Sequence, residues 1–438
     1  MSFCPYPYFV QLLYKLPAAL AARNAADRAR VAVTAFFAMD GFVFASWAVR
    51  IPAVKAAVGA SPATLGIALL GVSAGAIATM ALTGALCRRF GSARLVVVGA
   101  VWLSLALLLP ALARSAVALG LGLAVFGIGY GGLNVAMNSL AVDIVAALRR
   151  PVMPSFHAAW SLGGLAGAAL GGLAAPVLTP LAHFSLVCLA GLAVSAVCGW
   201  IAMTTPLPVA HSGSSESPGP GGSGGAAGTG EAGAKKEHRN GGGSHPTVSA
   251  APSGVWRTVL LLGVIALCST YGEGAVSDWG ALHLREDLGA AAGLAASGYA
   301  AFALAEACGR LAGSMLLARL GQTRVLVYGG LVTCAGMIAA ALSPELPLAL
   351  AGFALAGFGV ANAFPTAMAR VGVLAGPHGV GTASALGYAG LLLGPPTIGF
   401  LATALSLRVA LTTVSLLAIV AVFLARAASG ASETHESP

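Results

Sequence analysis

The stretch that decides the fold is "RRFGSARLVVVGA" at residues 88–100, because a variant of it, "ARLGQTRVLVYGG", returns at residues 318–330. One constant offset of 230 residues relates the shared arginines and glycines of the two copies, which are Arg89, Gly91, Arg94 and Gly99 in the first copy and Arg319, Gly321, Arg324 and Gly329 in the second. The same offset relates "GIG" at 127–129 to "GFG" at 357–359. Self-similarity at a fixed offset predicts a chain built from two equivalent halves.

The composition around these two copies is that of a membrane protein. Of the 438 residues, 58% are hydrophobic and only 8% are charged, whereas soluble domains carry roughly 25% charged residues. Apolar runs recur along nearly the whole chain, and about twenty apolar residues suffice for a helix to cross a bilayer. The sequence therefore predicts an all-α polytopic membrane protein.

The hydrophobic runs divide into twelve predicted spans, six on each side of a polar stretch. The spans are 31–50, 63–87, 95–113, 116–147, 155–178, 181–204, 257–283, 293–318, 325–343, 346–369, 380–403 and 407–427. The stretch between them is rich in Gly and Ser, a composition that buries too little apolar surface to become ordered. The predicted organisation is a cytoplasmic N-terminal extension (1–30), a six-helix bundle (31–204), a disordered cytoplasmic linker (205–256), a second six-helix bundle (257–428) and a cytoplasmic tail (429–438).

The distribution of Lys and Arg predicts the orientation. If the N-terminus is cytoplasmic, seventeen of these residues lie on the cytoplasmic side and five on the other, namely Arg50, Lys55, Arg114, Arg285 and Arg408. Such a bias is the positive-inside pattern. We therefore expect both termini and the linker in the cytoplasm and the protein in the plasma membrane, the inner membrane of a bacterium.

Several other functions are disfavoured by the same sequence. The net charge of +9 comes from scattered basic residues without interleaved aromatics, so no nucleic-acid surface is expected. The seven cysteines lack C-x-x-C spacing, which argues against a metal site. "GIGYGG" at 127–132 lies inside an apolar helix and not in a βα unit, so it is not a dinucleotide fingerprint. No G-x-x-x-x-G-K-[ST] loop or catalytic constellation is present, and we expect neither a cofactor nor enzymatic activity.

The loop "GALCRRFGSAR" at 84–94 resembles the loop between helices 2 and 3 of the major facilitator superfamily, whose pattern is G-x-x-x-D-[RK]-x-G-[RK]-[RK]-[RK]. Gly84, Arg89, Gly91 and Arg94 match, and Arg88 replaces the acidic residue of the pattern. Five further segments resemble a bacterial branch near fucose permease that includes MosC-like proteins, which are linked by association to rhizopine transport. These are "SWAVRIPAVK", "NVAMNSLAVD", "SFHAAWSLGGLAGA", "GEGAVSDWGALHLREDLG" and "GYAGLLLGPPTIGF". The resemblance covers about 31–427.

This resemblance implies a secondary transporter that works by alternating access, with helices 1, 4, 7 and 10 lining a central cavity. It also implies a proton-coupling role for Asp40, because fucose permease uses an Asp on helix 1 in this way. The second coupling acid of that permease is a Glu on helix 4, where this sequence has Asn134 and Asn138 instead.

The charged residues inside the spans are candidates for function in their own right, because charge at mid-membrane is costly. Asp40 lies ten residues from both Arg30 and Arg50, near the midplane of helix 1. Glu306 and Arg310, four residues apart on helix 8, share one helix face and can pair. Two interpretations stay open for them: a self-neutralising brace, or a switch in which protonation of Glu306 frees Arg310 for a solute. Asp40 and Glu306 are the candidates for proton coupling.

The remaining predicted cavity residues are polar groups of helices 4, 7 and 10, namely Asn134, Asn138, Tyr271, Glu273 and Asn362. For each amide, a packing hydrogen bond between helices is the alternative. Two tryptophans, Trp160 beside His157 and Trp279 beside Asp278, are interpreted as anchors near the membrane surface. For His157 with Trp160, a gating contact is the alternative.

The function expected from these features is transport of a small polar solute, such as a sugar, a polyol or an inositol-like compound, coupled to protons. The expected partners are the lipid bilayer, the solute and protons, and the expected oligomeric state is a monomer. An exporter of drugs or metabolites is the alternative and would favour an aromatic, apolar cavity. A membrane sensor without transport is a further alternative and would favour a folded cytoplasmic output domain, which the linker composition does not resemble.

Overall fold

The computed structural model describes residues 6–150, 152–205 and 253–433, and these residues form helices joined by short connections. The helices are α1 Tyr6–Ala48, α2 Ile51–Val58, α3 Pro62–Phe90, α4 Ser92–Ala106, α5 Leu108–Leu112, α6 Ala116–Leu148, α7 Met153–Ala174, α8 Pro180–Thr204, α9 Ser253–Glu286, α10 Ala292–Leu320, α11 Gln322–Leu342, α12 Leu346–Val360, α13 Ala363–Ala404 and α14 Leu407–Glu433.

Eleven stretches of the described residues are long and apolar enough to span a membrane. The 22-residue α7 completes the twelve helices that the sequence predicts. Three spans differ in detail from a single helix: α4 and α5 together form one span, the tenth span bends at Asn362 between α12 and α13, and α13 continues through the eleventh. The fold class is therefore the predicted one, an all-α protein with two six-helix bundles.

The two ends of the chain differ from the predicted boundaries. Helix α1 starts at Tyr6, although its apolar, membrane-long part begins at Ala25. Helix α14 continues to Glu433, beyond the predicted end of the last bundle. Most of the predicted linker, residues 206–252, lies outside the described residues, as do 1–5 and 434–438.

Local chemistry explains where several helices begin. The hydroxyl groups of Ser61, Ser115 and Thr179 accept hydrogen bonds from the backbone N–H three residues later, which caps α3, α6 and α8. Gly91 and Gly321 connect α3 to α4 and α10 to α11 with φ angles of 88° and 78°. This left-handed region favours glycine, so the two sequence copies form the same turn in both bundles.

The internal repeat extends from the turns to the packing. Gly127 of α6 lies against the carbonyl oxygen of Val72 on α3, and Gly357 of α12 lies against the carbonyl oxygen of Phe302 on α10. The partners are themselves 230 residues apart, so the helix pair α3–α6 has its counterpart in α10–α12. Glycine at these positions lets the backbones approach closely.

The bundles meet mainly through two helix pairs, α3 with α13 and α7 with α10, and α1 and α2 make smaller contacts with α9. Their close contacts lie at the end of the molecule where α1 ends and α3 begins, which we call the sealed end. There Lys55 pairs with Glu286 at 2.5 Å, and the backbone N–H of Ala63 donates to Thr403 Oγ1 at 3.0 Å. A β-carbon on Gly66 would lie only 2.5 Å from the carbonyl oxygen of Pro395.

A plug of apolar side chains from both bundles lies beneath these contacts. It is formed by Ala45 and Val49 of α1, Ala168 of α7, and Ala296, Tyr299 and Ala303 of α10. The plug closes the space between the bundles on this side.

Candidate functional site

Asp40 lies on α1 about one turn below the plug. Its carboxyl group is completely buried. Oδ2 accepts a hydrogen bond from Trp160 Nε1 of α7 at 2.8 Å, whereas Oδ1 is buried without a hydrogen-bond partner. The close approach of α1 and α7 that makes this bond depends on Gly41, whose α-carbon faces the carbonyl oxygen of Trp160. Asp40 is thus an acid without a cationic partner among the described residues.

The second bundle contributes a three-residue charge cluster at a similar depth, about one turn below Ala303. Arg310 Nη2 donates to Glu306 Oε1 at 2.6 Å and lies 3.8 Å from Glu273 Oε1 on α9. Ser269 Oγ lies 3.4 Å from the same oxygen of Glu273. The predicted i,i+4 pair therefore exists, and the structure adds Glu273 to it.

Two members of this charge cluster are partly accessible to solvent. The side chains of Arg310 and Glu273 are 30% and 29% exposed, whereas Glu306 is 8% exposed. Charged groups this deep in a membrane protein face a water-filled cavity in preference to lipid. We therefore expect Arg310 and Glu273 to face a water-filled space and not lipid.

Tyrosines from both bundles lie near Asp40 and the charge cluster. Tyr130 of α6 lies close enough to interact electrostatically with Asp40, Tyr299, Tyr388 and Glu273. Its ring also stacks on Phe44 of α1, with ring centroids 5.4 Å apart. These tyrosines were not among the cavity residues predicted from the sequence. Among apolar residues they carry no charge signal, and their spacing does not show which helix face points inward.

Asn134 and Asn138 lie half-buried on α6. Asn138 Nδ2 donates to the backbone oxygen of Asn134 at 2.8 Å and lies 3.4 Å from its Oδ1. The amides therefore share one face, as the i,i+4 spacing predicts. The Asn134 amide nitrogen and the Asn138 amide oxygen are not used in these bonds.

Two predicted cavity residues make packing contacts between helices. Asn362 is 9% exposed, and its Nδ2 donates to the carbonyl oxygen of Gly309 at 2.8 Å. Tyr271 is 4% exposed, and its hydroxyl lies 2.9 Å from Thr413 Oγ1 of α14. The structure does not bring either side chain to the charge cluster.

The interpretation of two tryptophans as surface anchors is wrong. Trp160 lies in the interior, where it donates to Asp40. Trp279 is completely buried, with no hydrogen-bond partner for its ring nitrogen. Charged residues beside a Trp are also common at membrane surfaces. The local sequence therefore does not distinguish a buried Trp from a surface anchor.

The loop residues Gly84, Arg89, Gly91 and Arg94 lie at the end of the molecule opposite the seal. Gly91 forms the left-handed turn between α3 and α4, and Arg89 lies over the ring of Phe90 at 5.2 Å. Arg88 and Arg89 occupy the last turn of α3, where positive charge is favourable at a helix C-terminus.

Three relatives resemble the chain over nearly its full length. An uncharacterised MFS-type transporter of Yersinia pestis is 31% identical over 90% of this chain and 94% of its own. The uncharacterised transporter y4wD of Sinorhizobium fredii is also 31% identical, over 90% of this chain and 96% of its own. Membrane protein MosC of Rhizobium meliloti is 28% identical over 89% and 87%. The predicted likeness to MosC-like proteins is confirmed.

Solved structures show the same fold at low identity. A bacterial homologue of the human lysosomal transporter Spinster, in an inward-facing and unoccupied conformation, superposes with a TM-score of 0.70 at 15% identity, covering 93% of this chain and 97% of that one. The nucleoside transporter NupG gives a TM-score of 0.64 at 13% identity, covering 92% and 98%.

The family model described as Major Facilitator Superfamily matches residues 31–277 and 262–437, which together span both bundles. Members of this superfamily are membrane transporters and not enzymes. Together with the relatives of similar length, the match identifies the chain as a multi-pass membrane transporter that belongs to the Major Facilitator Superfamily.

Proposed function

We propose that this transporter moves a small polar solute, such as a sugar, a polyol or an inositol-like compound, together with protons by alternating access. The observation that carries the proposal is the pair of acidic centres across the central cavity. Asp40 belongs to the first bundle, and Glu273 with Glu306 and Arg310 belongs to the second. A solute between them contacts both bundles, which is the requirement for a substrate that drives their relative motion.

Charge counting supports proton coupling. Two carboxyl groups share one guanidinium in the cluster of Glu273, Glu306 and Arg310, so the cluster carries one net negative charge when all three groups are ionised. Asp40 adds a second acid that has no cation beside it. Burying an uncompensated charge is costly. Binding a proton removes that cost while the site is closed, and opening the site to water lets the carboxyl group ionise again, which links protonation to the conformation.

The uncharged groups around the cavity favour a hydroxylated solute. Tyr130, Tyr299 and Tyr388 provide aromatic faces and hydroxyl groups, and Asn134 provides an amide with spare donors. Arg310 offers further N–H donors beyond the one that binds Glu306. Sugar-like molecules have both an apolar ring face and a rim of hydroxyl groups, so they match a site that combines these features.

The orientation follows from the positive-inside bias. Both termini and the linker are cytoplasmic, and the chain resides in a bacterial inner membrane as a monomer. Under this assignment the sealed end, which carries Lys55 and Glu286, faces outward, and the charge cluster is accessible from the cytoplasm. The structure then represents the inward-facing member of the transport cycle.

Export is the second candidate, and the aromatic lining favours it. Phe44, Tyr130, Trp160 and Tyr388 make the cavity more aromatic than the sequence analysis expected. A drug or an apolar metabolite stacks on such surfaces. The acids and the arginine at the same level favour uptake of a hydroxylated compound instead.

A thermal-shift screen of the purified protein tests the solute class. Sugars, inositols and amino sugars form one set of compounds, and common drugs form the other. Stabilisation by a polyhydroxylated compound, lost in Arg310→Met, supports the proposal. If drugs stabilise the protein and no polyhydroxylated compound does, the proposal of a polar solute is wrong and export is favoured instead.

A further inference from the structure

A second polar centre lies at the sealed end, far from the charge cluster, and it is built on Arg50. This residue follows the last turn of α1 and is only 2% exposed. Its Nε donates to His183 Nδ1 at 3.1 Å, and its Nη1 donates to the carbonyl oxygen of Ala175 at 3.4 Å. Its Nη2 is buried and has no hydrogen-bond partner.

None of these contacts neutralises Arg50. Because His183 Nδ1 accepts the hydrogen bond, that nitrogen carries no proton, and the ring is neutral with its proton on Nε2. Neither Asp nor Glu lies within ion-pair distance of Arg50 in the described part of the chain. A buried guanidinium with an unused N–H and no counterion is energetically costly as it stands.

A cavity adjoins this arginine and lies between the two bundles. Its volume is about 150 Å³, and its walls are Arg50, Arg285 of α9 and apolar side chains of both bundles. A water molecule needs only about 10–15 Å³ of such space, so the cavity has room for a larger occupant. Arg50 and Arg285 line it from opposite bundles.

The charge of the cavity is positive, because the nearby acids are already paired. Glu286 binds Lys55, and Asp287 lies 2.7 Å from His283 Nδ1. No ion pair joins Arg285 to an acid in the residues that the structure describes. Arg50 and Arg285 therefore line one cavity, and no ion pair joins either of them to a carboxylate in the described residues.

We infer that this cavity binds a small oxyanion, a carboxylate or inorganic phosphate, held between Arg50 of the first bundle and Arg285 of the second. Guanidinium groups match the planar, multi-oxygen geometry of such anions better than that of a spherical halide. The anion offsets the positive charges of both arginines, which line the cavity from opposite bundles.

The location gives the anion a regulatory effect on the conformation. Because its ligands belong to both bundles, it binds only while the bundles are together at this end. It therefore stabilises the sealed conformation and is released when that end opens. This inference is independent of the proposed solute, since the site lies above the plug and shares no residue with the charge cluster.

Thermal unfolding of the full-length purified protein tests the site. Sodium acetate, sodium phosphate and sodium chloride are titrated separately at constant ionic strength, with a bulky, weakly coordinating anion making up the difference. The expected result is a saturable rise in Tm with acetate or phosphate, roughly 3–5 °C at about 100 times Kd. If acetate acts at the lower concentration, the natural anion is a carboxylate. If phosphate does, it is a phosphate.

The exposed Arg285 gives the decisive variant, because Arg285→Gln leaves the buried contacts of Arg50 in place. We expect Arg285→Gln to weaken the oxyanion response at least tenfold in apparent Kd. Arg114→Gln, which removes an exposed arginine from the same end of the molecule, should keep the wild-type response. Arg50→Gln should abolish the response if it folds, and Arg285→Gln decides the matter if it does not. An equal response in Arg285→Gln and wild type, a response to chloride alone, or no saturable response overturns the inference.

Discussion

Trp160 Nε1 donates a hydrogen bond to Asp40 Oδ2 at 2.8 Å, and the other oxygen of the same carboxyl group is buried without a partner. This one bond ties α7 to α1 at the level where the two bundles face the central cavity. Helix α7 also packs on α10 of the second bundle. A change in the position of α7 during transport is therefore transmitted directly to the environment of Asp40.

The Asp40–Trp160 bond is tested by Trp160→Phe, which keeps an aromatic ring but removes the donor. A hydrogen bond to an ionised group contributes roughly 1.5–3 kcal/mol and one between neutral groups about 0.5–1.5 kcal/mol. We therefore expect Trp160→Phe to lower the free energy of unfolding by about 0.5–3 kcal/mol and to impair transport. Trp102→Phe is the matched control, because it removes a bond from an exposed ring to Val125 in the same bundle. Thermal unfolding and uptake of both variants check the prediction, and equal uptake by the two contradicts it.

The Glu306–Arg310 pair predicts an asymmetric response to substitution. Arg310→Met leaves the nearly buried Glu306 without its cation, so we expect a destabilisation of about 1–3 kcal/mol. Glu306→Gln should be milder, because Arg310 still has Glu273 and water within reach. The double variant should regain stability relative to Arg310→Met alone. These differences are measured by thermal unfolding at fixed pH.

Transport separates the brace from the switch at the same site. A pure brace predicts that the double variant recovers transport along with stability. A switch predicts that it folds normally and does not transport. Full transport by a stable Glu306→Gln variant contradicts the switch.

The seal predicts a strong effect of one methyl group at Gly66. Gly66→Ala places a β-carbon 2.5 Å from the carbonyl oxygen of Pro395, so α3 and α13 must separate there. Gly381→Ala on α13 is the matched control, since nothing lies within 4 Å of its added carbon. Pulsed EPR distances between spin labels at Ala60 and Leu405, in a cysteine-depleted background, should lengthen in Gly66→Ala alone. An unchanged distance distribution in that variant argues against this contact as part of the seal.

The placement of two tyrosines predicts opposite phenotypes. Tyr271→Phe removes the contact with Thr413 and should cost about 0.5–1.5 kcal/mol of stability without a change in apparent solute affinity. Tyr388→Phe removes a hydroxyl group near the proposed solute site. It should weaken solute binding with little loss of stability. Tm and the solute-induced shift in Tm are measured for both variants. Reversal of the two phenotypes places the solute elsewhere.

The architecture was accessible from the sequence because both of its determinants are one-dimensional. Membrane spans depend on the length of apolar runs, and the two-bundle repeat appears as glycines and arginines at a constant offset. Gly91 and Gly321 form equivalent turns with positive φ, so their recurrence reports a backbone requirement. The pairing of Glu306 with Arg310 was equally accessible, since i,i+4 neighbours on a helix share a face whatever the tertiary fold.

The faces of the helices could not be predicted in the same way. In a membrane protein the lipid-facing and the packed sides are both apolar, so hydrophobic periodicity does not show which side is inward. The sequence therefore did not show that the side chains of Tyr271 and Asn362 form hydrogen bonds with Thr413 and with the backbone of Gly309. The contact of Trp160 with Asp40 spans 120 residues of sequence, and only the packing of α7 on α1 brings these side chains together.

The most direct test of proton-coupled transport is uptake by Asp40→Asn in reconstituted vesicles, with a solute taken from the stabilising compounds of the thermal-shift screen. The control is Asp143→Asn, which makes the same chemical change near Cys87 and Arg88, away from the cavity. The account predicts that Asp40→Asn loses uphill uptake driven by a pH gradient and retains counterflow exchange, while Asp143→Asn retains both. Proton-driven accumulation by Asp40→Asn at the wild-type level would contradict it.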